Sequence, residues 1–114
     1  MKEKDTNLNW NNKENKQFLE AILSIQNEAE AKNFLRDIMT RGEIEEFGKR
    51  LEAARLLSLN VKYNKIIDQT GLSSTTVARI SKWLNGSLGG YNLILNRLHH
   101  HNPSKLKKGL SLSV

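Results

Sequence analysis

Four consecutive hydroxyl side chains, Ser73, Ser74, Thr75 and Thr76, are followed by Ala78, Arg79 and Lys82. Small side chains and hydroxyls can approach the edges of DNA bases, and Arg and Lys reach bases or phosphates. Ala78 is small enough to meet a thymine methyl. Such a helix reads a major groove only if something holds it there. Immediately upstream, Thr70-Gly71-Leu72 interrupts the chain, and Gly71 supplies the positive φ that a sharp turn between two helices demands. Before the turn, Ile66 and Ile67 sit on a helix of about two turns. Ile66, Leu72, Val77 and Ile80 are spaced to pack the two helices together. A short helix, a tight turn and a second helix with a small, polar N-terminal half make a helix-turn-helix at about residues 63–84. Tyr63, Asn64 and Lys65, at the start of the first helix, are candidate phosphate contacts, as is Lys82. The alternatives are plainer: Ser73 as a helix cap, Ser74 to Thr76 as residues favoured at any helix start, and the others as solvated surface. Arg79 can serve a phosphate, a base edge or an acid on a neighbouring helix.

Other chemistry finds little to stand on. There is no Cys, which removes disulfides, thiolate catalysis and zinc ribbons together. No nucleophile–base pair can be named. Glu43, Glu45, Glu46 and Glu52 lie on one helix, and Glu45 and Glu52 share a face, as solvated charges do on any amphipathic helix. A di-metal carboxylate site would want His partners within the bundle. His99, His100 and His101 are consecutive, so on a helix they point in different directions and make a poor ligand set. Asn85 to Gly90, reading NGSLGG, matches neither a Walker loop nor a dinucleotide fingerprint. The chain is expected to be no enzyme and to hold no metal.

The elements that must position the reader follow from periodicity. The chain has 114 residues and a mass of 13.0 kDa, with 38% apolar and 26% charged residues, which suits one globular domain. Phe18, Leu19, Ile22, Leu23 and Ile25 form a first apolar stripe with helical steps. Asn27 followed by Glu30 marks a helix start, and Phe34, Leu35, Ile38 and Met39 line that helix. Thr40-Arg41-Gly42-Glu43 fits a capping box opening a long helix to about Leu59, with Ile44, Phe47, Leu51 and Ala54 on one side. Asn60 suits its end, since Asn tolerates the left-handed conformation. Val77, Ile80, Ser81 and Leu84 mark the buried side of the reader helix, and Trp83 suits a core or an interface. Tyr91, Ile94, Leu95 and Leu98 line a last helix. The class is all-α, with about six helices. The expected organisation is a flexible segment over residues 1–11, a helical DNA-binding domain over 12–98 and a basic flexible tail over 99–114. No apolar run approaches the roughly 18 residues of a membrane span, and the N-terminus lacks a signal peptide's apolar region, so a cytoplasmic protein is expected.

Charge separates the two halves. Residues 1–60 carry 10 basic and 11 acidic side chains, whereas residues 61–114 carry 8 basic side chains and one acid, Asp68. That asymmetry suits a half facing a polyanion.

The blocks EIEEFGKRLEAARLL, YNKIIDQTGLSSTTVARI and GGY together resemble the Trp-repressor-like regulators of bacteria, especially the small Trp-repressor-related proteins of unestablished effector. The strongest elements are Arg50-Leu51-Glu52-Ala53-Ala54-Arg55, Thr70-Gly71-Leu72-Ser73 and Val77-Ala78-Arg79, and the resemblance covers roughly residues 16–98. It implies six helices in an intertwined homodimer with two helix-turn-helix heads, and double-stranded DNA as partner. It also implies an effector pocket. The two arginines that sandwich tryptophan in the repressor match Arg50 and Arg79, and a ligand-contacting Thr matches Thr40. The repressor has Gly directly after the second Arg, where this chain has Ile80, and the loop before the reader is one residue shorter. Tryptophan is therefore not expected to bind, no cofactor is expected, and an effector of another kind stays open.

The reading is a sequence-specific transcriptional regulator, in the sense of a repressor. The apolar stripes of residues 18–59 would form the shared dimer core, and Ser73 to Leu84 of each subunit would enter successive major grooves. The alternatives are a sequence-tolerant nucleoid-type protein using the same helices, or an all-α module whose basic half docks an acidic protein.

Overall fold

The structure is a computed structural model that describes residues 7–101. Of the segments expected to be flexible, 1–11 and 99–114, residues 1–6 and 102–114 lie outside the described residues, and residues 99–101 belong to the last helix. The described residues form six helices and no strand: α1 Lys13–Leu23, α2 Glu28–Ile38, α3 Arg41–Ser58, α4 Tyr63–Thr70, α5 Ser74–Leu84 and α6 Gly90–His101.

Short-range hydrogen bonds set most of the boundaries. The Asn12 side chain accepts from the Asn15 N–H at 2.8 Å and starts α1. That helix ends at Leu23, where the Ser24 hydroxyl donates to the Ala21 carbonyl at 2.7 Å, so Ile25 falls beyond the stripe expected to include it. Asn27 caps α2 by accepting from the Glu30 N–H at 3.0 Å. The capping box of α3 is complete: the Glu43 N–H donates to the Thr40 hydroxyl at 3.1 Å, and the Thr40 N–H donates to the Glu43 carboxylate at 2.8 Å. At the far end Asn60 is left-handed, with φ 64°. Its N–H donates to the Leu57 carbonyl and the Val61 N–H donates to the Leu56 carbonyl, each at 3.0 Å. This is a Schellman closure, with Leu56 in the buried cluster and Val61 packed against that cluster. Helix α6 continues through His101, past the residue 98 at which the sequence reading ended it.

The chain divides into two compact units, one ending at Phe47 and one beginning at Gly48. In the first, α1 and α2 are amphipathic, yet neither contains a buried residue. Phe18, Leu19, Ile22, Leu35 and Ile38 are all exposed. In the second, Ala53, Ala54, Leu56, Ile66, Leu72, Val77 and Ile80 form one buried cluster, with Leu57, Val61, Ile67, Tyr91 and Leu95 packed against it. The small Ala53 and Ala54 belong to α3, and Val77 and Ile80 to α5, so this core joins the long helix to the helix that carries the hydroxyl run.

Candidate nucleic-acid interface

The reader unit is α4, the turn at residues 71–73, and α5. Ile66, Val77 and Ile80 are 0% exposed and Leu72 is nearly so, as their spacing predicts. Gly71 ends α4 with φ 76°, its N–H donating to the Ile67 carbonyl at 2.9 Å. Thr70 fastens the turn from inside. Its buried hydroxyl donates to the Ile66 carbonyl at 2.7 Å and accepts from the Leu72 N–H at 3.2 Å. The turn is thus closed by both a left-handed glycine and a side chain that takes up the Leu72 N–H.

The candidates on α5 sort into two sets. Ser73 is the cap: its hydroxyl accepts from the Thr76 N–H at 3.1 Å and donates to the Thr76 hydroxyl at 2.9 Å. Both of these hydroxyls are engaged with each other. Ser74, Thr75 and Arg79 are exposed and Ala78 is half-buried beside them. At steps of one, three and one along the helix, these four make one surface strip opposite Val77, Ile80 and Leu84. Arg79 is exposed, with no hydrogen bond or ion pair to another described residue. Lys82 continues the strip but is half-buried and takes part in an interaction within the chain.

On α4, Tyr63, Asn64 and Lys65 are exposed at the first turn, and the Asn64 side chain accepts from the Lys65 N–H at 2.9 Å. Lys62, absent from the candidate set, precedes them as an exposed N-cap residue that makes no side-chain cap. A Lys in place of the usual Ser, Thr, Asp or Asn at a helix start is the signal that marks it. Neither α4 nor α5 has an acidic residue in its first turn. The partial positive charge of both helix starts is therefore uncompensated by carboxylates, which favours phosphate there.

The three residues of the implied effector pocket are placed differently. The Thr40 hydroxyl is held in the α3 capping box, in the first unit. Arg50 lies half-buried on α3, and its charge acts on the Tyr91 phenol of α6. Burial pushes that phenol above its ordinary range, and the Arg50 charge opposes the rise. Arg79 stands exposed on α5, while Ile80 next to it lies in the cluster with Ala53 and Ala54. Elsewhere on α3, two hydrogen bonds from Arg55 to Glu52, at 2.8 and 2.9 Å, lower the Glu52 carboxyl below its ordinary range. Among the described residues no His, Asp or Glu cluster could hold a metal ion, and no helix is long and apolar enough to cross a membrane.

This arrangement has known counterparts. The family described as Trp repressor protein matches residues 13–99. An uncharacterized protein, YerC of Bacillus subtilis (strain 168), is 36% identical over 86 residues, which span 75% of this chain and 83% of that protein. The crystal structure of a TrpR-like protein from Eubacterium eligens ATCC 27750 superposes with a TM-score of 0.74 at 32% identity, covering 79% of this chain and 93% of that one.

Proposed function

The chain belongs to the Trp repressor family, and on that premise we propose that it is a homodimeric, sequence-specific DNA-binding regulator acting as a repressor. The observation that carries the reading is the strip Ser74, Thr75, Ala78 and Arg79, presented outward by a helix whose opposite side is anchored through the fully buried Val77 and Ile80. In this reading α5 enters the major groove, Ser74, Thr75 and Ala78 choose the sequence, and Arg79 contacts a base or phosphate. Tyr63, Asn64, Lys65 and the added Lys62 hold phosphates from the start of α4. Ser73 and Thr76 serve the interface by fixing the first turn of α5.

The apolar sides of α1 and α2 support the dimer. An amphipathic helix needs something to cover its apolar stripe, and these two helices bury no residue within one chain. A second copy provides that cover. A cytoplasmic location follows from the proposed work on DNA. Tryptophan is not the effector in this reading. Ile80 is 0% exposed, packed in one cluster with Ala53 and Ala54, and holds the reader by packing where the repressor has Gly.

Duplex binding measured against salt tests the proposal. The wild type should bind with a steep negative salt slope. Arg79→Ala should weaken binding to a selected duplex by about 1–3 kcal/mol, with the fold unchanged by circular dichroism. Equal affinities for wild type and variant would remove Arg79 from the interface.

A further inference from the structure

Within the Gly48–His101 unit, a cleft of about 520 Å³ opens among the end of α3, the loop after it, the start of α4, the end of α5 and α6. Small-molecule sites commonly fall between about 300 and 1,000 Å³. Its polar lining is Ser58, Asn60, Tyr63, Ser81, Asn85 and Asn92, and the remainder is aliphatic. No lining side chain carries a charge at neutral pH. An ionic ligand would find no counter-charge among these side chains, of which Ser58, Asn60, Tyr63, Asn85 and Asn92 are exposed to solvent.

Two of the carboxamides are fixed in place. Asn85 Nδ2 donates to the Ser81 carbonyl, and Asn92 Nδ2 donates to the Leu84 carbonyl across from α6, each at 2.9 Å. Each bond uses one N–H and fixes the amide plane, leaving the Oδ1 acceptor and the second N–H. A carboxamide sets donor and acceptor side by side, and that pair complements the edge of a nucleobase. Tyr63 adds an aromatic ring, 44% exposed, on which a planar molecule can stack.

We propose that this cleft binds a small, uncharged, planar molecule with a donor–acceptor edge, of the nucleobase or cyclic-amide class, and that its occupancy alters DNA affinity through Tyr63. The site stands on the cleft's own chemistry. The coupling rests on the proposed function, in which Tyr63 is a phosphate contact in the first turn of α4.

The test is a titration of the isotope-labelled full chain, followed by backbone amide NMR. The probes are uracil and adenine at up to about 5 mM, with orotate as a charged analogue of uracil. Saturable shifts at Asn60, Tyr63, Asn85 and Asn92 with a neutral base, and about tenfold weaker binding of orotate, are expected. Asn60→Gly removes one amide while keeping a residue suited to the left-handed turn. It should weaken the base about tenfold with the rest of the spectrum preserved. Binding to a duplex of about three helical turns should change about fivefold at saturating base in the wild type, and Asn60→Gly should need about tenfold more base for the same change. No saturable shifts with either base, or equal shifts in Asn60→Gly and wild type, would overturn the site. Cleft shifts with unchanged DNA affinity would keep the site and overturn the coupling. If no duplex bound under any condition, the proposed function would fall, and the base titration would still decide the site.

Discussion

Helices α4 and α5 of the Gly48–His101 unit are about as amphipathic as α1 and α2 of the unit that ends at Phe47, yet only the former unit encloses a core among the described residues. Helices α4 and α5, of eight and eleven residues, contribute Ile66, Val77 and Ile80 at 0% exposure. Helices α1 and α2, of eleven residues each, contribute no buried residue. The difference teaches that an apolar stripe records a need for burial and leaves open which chain meets it. The reader is held by its own chain, whereas the stripes of α1 and α2 stay uncovered within it and, in the proposed dimer, meet a second copy.

Paired core truncations should break or sharpen that contrast with the largest effect. Ile66→Ala should cost about 2–5 kcal/mol, independent of protein concentration, in chemical unfolding. Ile22→Ala should instead make the melting temperature more dependent on concentration, because its contact lies between chains. A concentration-independent loss of similar size at Ile22 would end the distinction.

Next in size, Arg79→Ala should reduce duplex affinity by about five- to 150-fold and leave the melting temperature unchanged. A drop in melting temperature of several degrees would assign Arg79 to the fold. Smaller again, Thr40→Ala removes one side of the capping box in the first unit. It should cost about 1 kcal/mol in urea unfolding with little effect on DNA binding measured well above the dimer dissociation constant.

The smallest effect concerns pH. Arg55 lowers the Glu52 carboxyl, so the ionised form is favoured more in the folded than in the unfolded chain. Its stabilisation is present above the ordinary carboxylate pKa and is lost as pH falls through the lower folded value. Both side chains are about half exposed, so solvent screening keeps the effect below about 1 kcal/mol. Glu52→Gln should abolish this part of the acid-side decline. An acid limb identical to that of the wild type would remove the pair from the account.

Much of the fold was legible because its punctuation is local. Thr40 with Glu43, Asn27 with Glu30, Gly71 and Asn60 each act within a few residues, and each behaves as its chemistry predicts. Ile25 has a helical step from Ile22 but lies beyond Ser24, the C-cap of α1, and periodicity alone does not mark that end. The exposed strip on α5 was legible as a helical face, but the mutual bond of Ser73 and Thr76 was not, since both hydroxyls look available in a linear sequence. The cleft was illegible for another reason. Asn60, Asn85 and Asn92 are far apart in the chain and each reads as a loop or surface amide. Only packing among α3, α5 and α6 gathers them.

In the proposed function, α5 reads a sequence. Genomic fragments selected by the purified full chain at about 150 mM salt, where non-specific contacts are weakened, test it most directly. Enrichment of one inverted repeat whose half-sites lie about one helical turn apart is expected, and its loss in Arg79→Ala. Binding without any enriched motif would contradict sequence reading and favour a nucleoid-type protein, and no binding at all would contradict the DNA interface itself.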